Sequence, residues 1–208
     1  MNPSIVLDHF GVSVSAVSGV LAARGKGFDL FGVITLALVT ALGGGTIRDV
    51  LAGAGAVGWL TSPALLTTVF STAVIGFLIF RKVDPQGMWL QIADALALCA
   101  FAVAGTRKGL QFGFDPVVSI TLGVITGVAG GIVRDTLTGQ VPLVFQKETS
   151  YYATAAFFGG LLFCLSHGML GDDLAAWISL GSALLLRLGA IRYRLTLPVF
   201  EPRFKSDP

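Results

Sequence analysis

The chain has 208 residues, 54% of them hydrophobic and only 12% charged, with a mean hydropathy of +0.81. Soluble domains carry about 25% charged residues, so this composition excludes a water-soluble globular fold and describes a protein lying in the membrane almost throughout. A net charge of +2, dispersed along the chain, also excludes a nucleic-acid partner as the main reading.

Seven apolar runs are each long enough to cross a ~30 Å hydrocarbon core as helix. In chain order they are expected at Ile5 to Ala23, Phe28 to Gly53, Pro63 to Phe80, Met88 to Thr106, Asp115 to Thr138, Ser150 to His167 and Asp173 to Ile191. The first run lacks the basic leader of a cleavable signal peptide and reads as a membrane helix. The second, as a straight helix, would run about 39 Å at 1.5 Å per residue, which exceeds the core. It is therefore expected to tilt, bend or break, and the fifth shares the excess. Gly43, Gly44, Gly45, Gly130 and Gly131 are the expected places. Two readings stand there: a break or kink beside an ion path, whose freed carbonyls must be buried or face water, or close helix packing. Ala37, Ala41 and Gly45, like Gly123, Gly127 and Gly131, have the spacing of packing seams. Thr35, Thr40, Thr121 and Thr126, in the turns before these glycines, either bond back to helix carbonyls or line a polar path for a partly dehydrated cation. Between the fifth and sixth runs, Lys147 and Glu148 read as a solvated loop pair, or alternatively as a contact to an anionic lipid headgroup or a closure of the inner mouth. Arg187, near the end of the last run, reads as a snorkelling anchor.

The chain is internally duplicated. Gly44-Gly45-Thr46-Ile47-Arg48-Asp49 and Gly130-Gly131-Ile132-Val133-Arg134-Asp135 carry one word 86 residues apart, and a gapless alignment of Asp8 to Gly53 with Asp94 to Gly139 matches 17 of 46 pairs. With three spans in each copy, the second enters the membrane from the side opposite to the first. The expected fold is an all-α polytopic membrane protein with two inverted three-helix repeats plus a seventh helix. Residues 1–86 form the first repeat, 87–170 the second, 171–194 the seventh helix and 195–208 a tail. Arg24, Lys26, Arg81, Lys82, Lys147, Arg192, Arg194, Arg203 and Lys205 then fall on one side, against Arg107 and Lys108 on the other. The positive-inside rule places the N-terminus outside and the C-terminus in the cytoplasm.

Arg48 and Asp49 are adjacent, so on a helix they point about 100° apart and each is expected to need a partner from elsewhere. The topology brings Asp8 to the same face as Arg48, and Asp94 to the same face as Arg134. Pairs Asp8 with Arg48 and Asp94 with Arg134 are expected, with Asp49 and Asp135 beside them, either as staples or as groups setting the field at two pore mouths. The absence of acidic rings inside the spans favours a weakly bound monovalent ion over a divalent one. The G-x-G-x-x-G at Gly53 to Gly58 follows a membrane helix, not a strand, and is rejected as a dinucleotide site. Cys99 and Cys164 lie in apolar runs without metal-ligand spacing, and no nucleophile elbow or phosphate loop is present, so neither an enzyme nor a metal site or cofactor is expected.

The words Gly-Gly-Gly-Thr-Ile-Arg-Asp-Val-Leu, Gly-Gly-Ile-Val-Arg-Asp-Thr-Leu-Thr-Gly and Gln-Lys-Glu-Thr-Ser-Tyr-Tyr-Ala-Thr-Ala, set in seven spans, resemble the prokaryotic branch of the trimeric intracellular cation (TRIC) channels from Ser4 to about Arg194. The resemblance implies a homotrimer with a pore inside each protomer, bounded by kinked second and fifth helices and conducting K⁺ and to some degree Na⁺. In the animal members a Lys-Glu-Val word supplies a lysine that binds a phosphoinositide; here Lys147-Glu148 is followed by Thr149, which departs from that pattern. A rival reading is a secondary transporter of a small zwitterion such as glycine, in which the same repeats rock about a central site. A third is a structural scaffold with no flux.

Overall fold

The computed structural model describes residues 3–81, 87–146, 151–193 and 195. Lys147 and Glu148 lie outside these residues. Seven long helices account for most of the described chain: α1 (Pro3–Ala23), α2 (Leu30–Leu51), α3 (Pro63–Phe80), α4 (Met88–Gln111), α5 (Pro116–Leu137), α6 (Tyr152–Leu170) and α7 (Asp172–Tyr193). All seven are long and apolar enough to cross a bilayer. A single helical turn, Gly58–Thr61, and a 3₁₀ turn, Leu143–Phe145, lie in the loops after α2 and α5.

The ends of α2 and α5 are set by the same residues in both copies. Gly27 and Gly113 take positive φ of 73° and 82°, where a side chain would be strained, and turn the chain before each helix. Asp29 Oδ1 then accepts the Gly32 N–H at 2.7 Å, and Asp115 Oδ1 the Val117 N–H at 2.9 Å, capping the two N-termini. Gly53 and Gly139, at φ 63° and 69°, close the C-terminal ends. These caps trim each helix to 22 residues, about 33 Å, which fits the hydrocarbon core without a break. The expected interruption is therefore absent: α2 runs as helix through Gly43, Gly44 and Gly45, and α5 through Gly130 and Gly131. The expected span length had included Phe28 and Gly53, which belong to the turns.

Gly44 and Gly130 serve close packing. α1, α2, α4 and α5 form the centre of the bundle; α3 flanks α1 and α2, while α6 and α7 pack on each other and on α4. A Cβ built on Gly44 would collide with the Thr126 carbonyl oxygen of α5, and one on Gly130 with the Thr40 carbonyl oxygen of α2. Residues 44 and 130 are repeat counterparts, as are 40 and 126. The crossing is thus a reciprocal contact, in which each glycine receives the other copy's threonine carbonyl. On a second face of each helix lies the seam with the repeat's own first helix. There a Cβ on Gly19 would come within 2.8 Å of Ala37 Cα, and one on Gly105 within 2.9 Å of Gly123 Cα. All four threonines bond back to the carbonyl four residues earlier: Thr35 Oγ1 to Phe31 at 2.9 Å, Thr40 to Leu36 at 2.6 Å, Thr121 to Val117 at 2.8 Å and Thr126 to Leu122 at 2.5 Å. Thr40 and Thr126 are buried at the crossing, whereas Thr35 and Thr121 are exposed.

Gly44→Ala and Gly130→Ala should each destabilise the fold by about 1–3 kcal/mol, because a backbone carbonyl cannot retreat as a side chain can. Gly43→Ala, with open space around its Cβ, should be neutral or slightly stabilising through helix propensity. Thermal unfolding of purified variants in detergent checks this; equal losses at positions 43 and 44 would refute the packing role.

Candidate functional site

The helix directions place two charged clusters at opposite ends of the α2–α5 crossing: one on the face where α1 begins, one on the face where α1 ends. Each is built on an Arg-Asp word at the C-terminal end of α2 or α5. The arginine arm folds back on its own neighbour, with Arg48 Nε donating to Asp49 Oδ1 at 2.9 Å and Arg134 Nε to Asp135 Oδ1 at 2.7 Å. The expectation that adjacent residues cannot pair is thereby corrected, since the length of the arginine arm absorbs the 100° offset at the backbone. The aspartate's other oxygen holds the loop that follows. Asp49 Oδ2 accepts the Gly58 N–H at 2.8 Å, and Asp135 Oδ2 the Leu143 N–H at 3.0 Å. The main chain repeats the pattern, Ala54 N–H bonding Asp49 O at 3.0 Å and Gln140 N–H bonding Asp135 O at 2.8 Å.

Beyond this shared unit the two ends differ. In the second copy the expected interhelical pair is present: Arg134 Nη1 donates to Asp94 Oδ1 of α4 at 2.6 Å, and also to Ser18 Oγ of α1 at 2.9 Å. Arg134 is 0% exposed, and Asp94 and Asp135 are buried. Tyr152 of α6 is buried beside them, its hydroxyl 3.2 Å from where a Gly131 Cβ would sit and Asp94 Oδ1 3.3 Å from the same point. Arg187 of α7 covers the Tyr152 ring with its guanidinium carbon 4.9 Å from the centroid. It is 1% exposed, so it is a member of this cluster and not the snorkelling anchor its position near a span end implied. Nothing in the local sequence of α7 announces that role; it follows from how α7 packs on α4 and α6. Among the described residues the cluster holds two cations, Arg134 and Arg187, and two carboxylates, Asp94 and Asp135, so each buried charge has opposite charge nearby.

In the first copy the pair of Asp8 with Arg48 does not form. Among the described residues no cation lies within 4.0 Å of the Asp8 carboxylate, and both residues instead line an open cavity of about 410 Å³. Its wall also carries His9, Asp49, Trp59 and Lys108, and its floor reaches Ala41, Leu42 and Phe101 midway along the helices. Gly45 lines it too, and a Cβ there would meet only Arg48 Nη2, at 3.6 Å. Position 104, the counterpart of Ser18, is alanine, so Arg48 lacks the hydroxyl that Arg134 has. The Asp49 carboxylate is shared, with Arg48 Nη2 at 2.8 Å and Lys108 Nζ at 4.0 Å. Trp59 is held by its indole N–H on Thr46 Oγ1 at 3.0 Å. Among the described residues no group of His, Cys, Asp or Glu has the arrangement of a metal site.

A bundle of seven membrane helices, six of them two inverted copies of one unit that meet at a glycine crossing, defines a polytopic membrane protein of the inverted-repeat class. A family model described as "Glycine transporter" matches residues 5–81 and 91–168, and the chain is 41% identical to a UPF0126 membrane protein of Vibrio cholerae, covering 94% of this chain and 82% of that one, and 38% identical to the UPF0126 inner membrane protein YadS of Escherichia coli K12, covering 93% and 94%. The TRIC trimeric intracellular cation channel orthologue from Rhodobacter sphaeroides superimposes with a TM-score of 0.86 at 36% identity, covering 94% of this chain and all of that one, and a prokaryotic TRIC channel crystallised in 0.5 M KCl with 0.85 at 30%, covering 93% and 98%. The chain belongs to this family, the prokaryotic TRIC channels.

The two ends should respond differently to loss of the α1 or α4 carboxylate. Asp94→Ala leaves Arg134 buried without its interhelical partner and should cost about 3–5 kcal/mol. Asp8→Ala, at an exposed side chain, should stay within about 0.5 kcal/mol of wild type. Thermal or chemical unfolding in detergent measures both, and comparable losses would mean that Asp8 is structurally engaged after all.

Proposed function

We propose that the protein is a cation channel that conducts K⁺, and to a lesser degree Na⁺, through a path inside each protomer of a homotrimer. The observation that carries this reading is the likeness to solved TRIC cation channels along nearly the whole chain at 30–36% identity. The geometry supports a location for the path. The open cavity is lined by Asp8 and Lys108, by Gly45, and by Ala41 of α2 and Phe101 of α4 midway along the helices, while the other copy has the buried Arg134 cluster at the corresponding place. The arrangement is that of a vestibule on one face and a closed polar plug on the other. Opening requires Arg134, Asp94 and Tyr152 to separate, and the opposite charges among the described members of the cluster can exchange partners for water and a passing cation. Because α2 and α5 are unbroken helices, the path owes little to freed carbonyls and is lined by side chains and small residues. The excess of basic residues on the face where α1 ends supports placing the Asp8 vestibule outside and the plug toward the cytoplasm. The rival reading draws on the description of the matching family model, a glycine transporter. It requires alternating access to a zwitterion site and slow, saturable uptake.

Planar-bilayer recording of the purified protein separates them. Unitary K⁺ currents of millions of ions per second are expected, with no saturable glycine uptake in proteoliposomes. Gly45→Leu, whose side chain would extend into the cavity floor, should reduce K⁺ flux by tenfold or more while the trimer persists in cross-linking. An unaltered current in that variant would remove the cavity from the path, and glycine uptake without unitary currents would overturn the channel reading.

A further inference from the structure

The charges around the cavity are those of the buried cluster at the other end, but their pairing is different. Four acidic and basic side chains line it: Arg48 and Lys108 against Asp49 and Asp8, with His9 beside Asp8. Arg107, the next basic residue of α4, is engaged with the start of α7, its Nη2 3.0 Å from Asp173 Oδ1 and its Nε 3.5 Å from Asp172 Oδ2. Asp49 serves both cations of the wall and the Gly58 N–H as well. Asp8 serves none of them: it has no ion pair within 4.0 Å among the described residues, and its side chain is exposed on the wall near the mouth. His9, by contrast, is fixed, its Nδ1 2.7 Å from Thr68 Oγ1 of α3.

From this arrangement we infer that Asp8 is a cation-concentrating residue of the vestibule, a weak site for a hydrated monovalent cation that decides whether cations or anions collect there. The inference rests on the channel reading. Without Asp8 the wall would hold Arg48 and Lys108 against Asp49 alone, a net charge of +1 in a narrow mouth with low-dielectric sides, which attracts chloride and repels K⁺. With Asp8 the wall is neutral in sum, and the one carboxylate not committed to a protein cation is the group a mobile cation meets. A carboxylate exposed to water releases a monovalent ion readily, as conduction requires. The repeat counterpart, Asp94, cannot play this part because Arg134 lies against it at 2.6 Å. The duplication thus yielded two carboxylates at equivalent positions, one neutralised within the fold and one left for the permeant ion.

The test is a charge cycle in planar bilayers with the full-length protein: wild type, Asp8→Asn, Lys108→Gln and the double variant, in about 20 mM and about 1 M KCl and under a KCl gradient. At low salt Asp8→Asn should lower unitary K⁺ conductance about threefold and move the reversal potential toward that of chloride. Lys108→Gln should do the reverse, and the double variant should return close to wild type. In 1 M KCl, where the Debye length is about 3 Å, the four should converge. Both side chains are substantially exposed, so unfolding temperatures serve as a control and should be unchanged. Equal conductance and reversal potential in wild type and Asp8→Asn at low salt would overturn the role of Asp8 while leaving the channel intact, as would single variants that shift in the same direction. No current in wild type would overturn the channel reading itself, and this inference with it.

Discussion

The fold depends on how closely α2 and α5 approach. Each places a glycine, Gly44 or Gly130, against a backbone carbonyl of the other, Thr126 or Thr40, at a separation where no Cβ fits. In a membrane there is little hydrophobic gain from pressing two apolar helices together, because lipid tails are as apolar as leucine; what stabilises contact is the number of atoms brought into van der Waals range. Glycine opposite a carbonyl maximises that number. The contact is also self-reciprocal: residues 44 and 126 touch, and so do their counterparts 130 and 40. A duplicated unit meeting its own inverted copy must produce such a pair, in the same way that a two-fold dimer must use one patch twice. The crossing therefore fixes both the position of the two halves and the axis relating them.

From that axis follows the placement of the Arg-Asp words. They lie one turn beyond the glycines, so an axis through the crossing sends them to opposite faces. In each, the arginine neutralises its neighbouring aspartate and the aspartate ties down the loop returning from the helix, Gly58 in one copy and Leu143 in the other. Keeping the backbone of these loops hydrogen-bonded near the membrane face is the service common to both copies. Any pore-related role comes from what the second oxygen-rich partner does, and there the copies have parted: Asp94 closes on Arg134, Asp8 stays apart from Arg48.

The sequence made the number of spans, the duplication and the equivalence of the two Arg-Asp words legible, because each is a matter of composition and period. It was less informative wherever the outcome depended on which face of a helix meets which neighbour. Glycine triplets carry the same signal whether they break a helix or let a carbonyl approach, and the decision lay in Asp29 and Gly53, whose capping shortens α2 to the thickness of the core. The helical offset of Arg48 and Asp49 is a statement about Cβ directions, and it failed because a guanidinium lies several bonds beyond Cβ. Pairing by topology succeeded for Asp94 with Arg134 and failed for Asp8 with Arg48, although both rest on one argument. The two ends differ in residues outside the repeat alignment or unlike within it, among them Ser18, which bonds Arg134, against Ala104.

The largest source of asymmetry is α7, which has no counterpart. A perfect inverted repeat would present equivalent ends to both sides of the membrane, each open or each closed. By packing on α4 and α6, α7 delivers Arg187 to the Tyr152 ring on one side and, through Asp172 and Asp173 at its start, holds Arg107 on the other. The first contact brings a second cation to the described cluster that buries Asp94 and Asp135. The second engages Arg107 away from the cavity, so that among the described residues of α4 Lys108 is the cation on its wall. An unpaired seventh helix thus contributes to making one end a buried charged cluster and the other an open cavity. It does so through the charges at its two ends, while its middle remains an ordinary apolar helix.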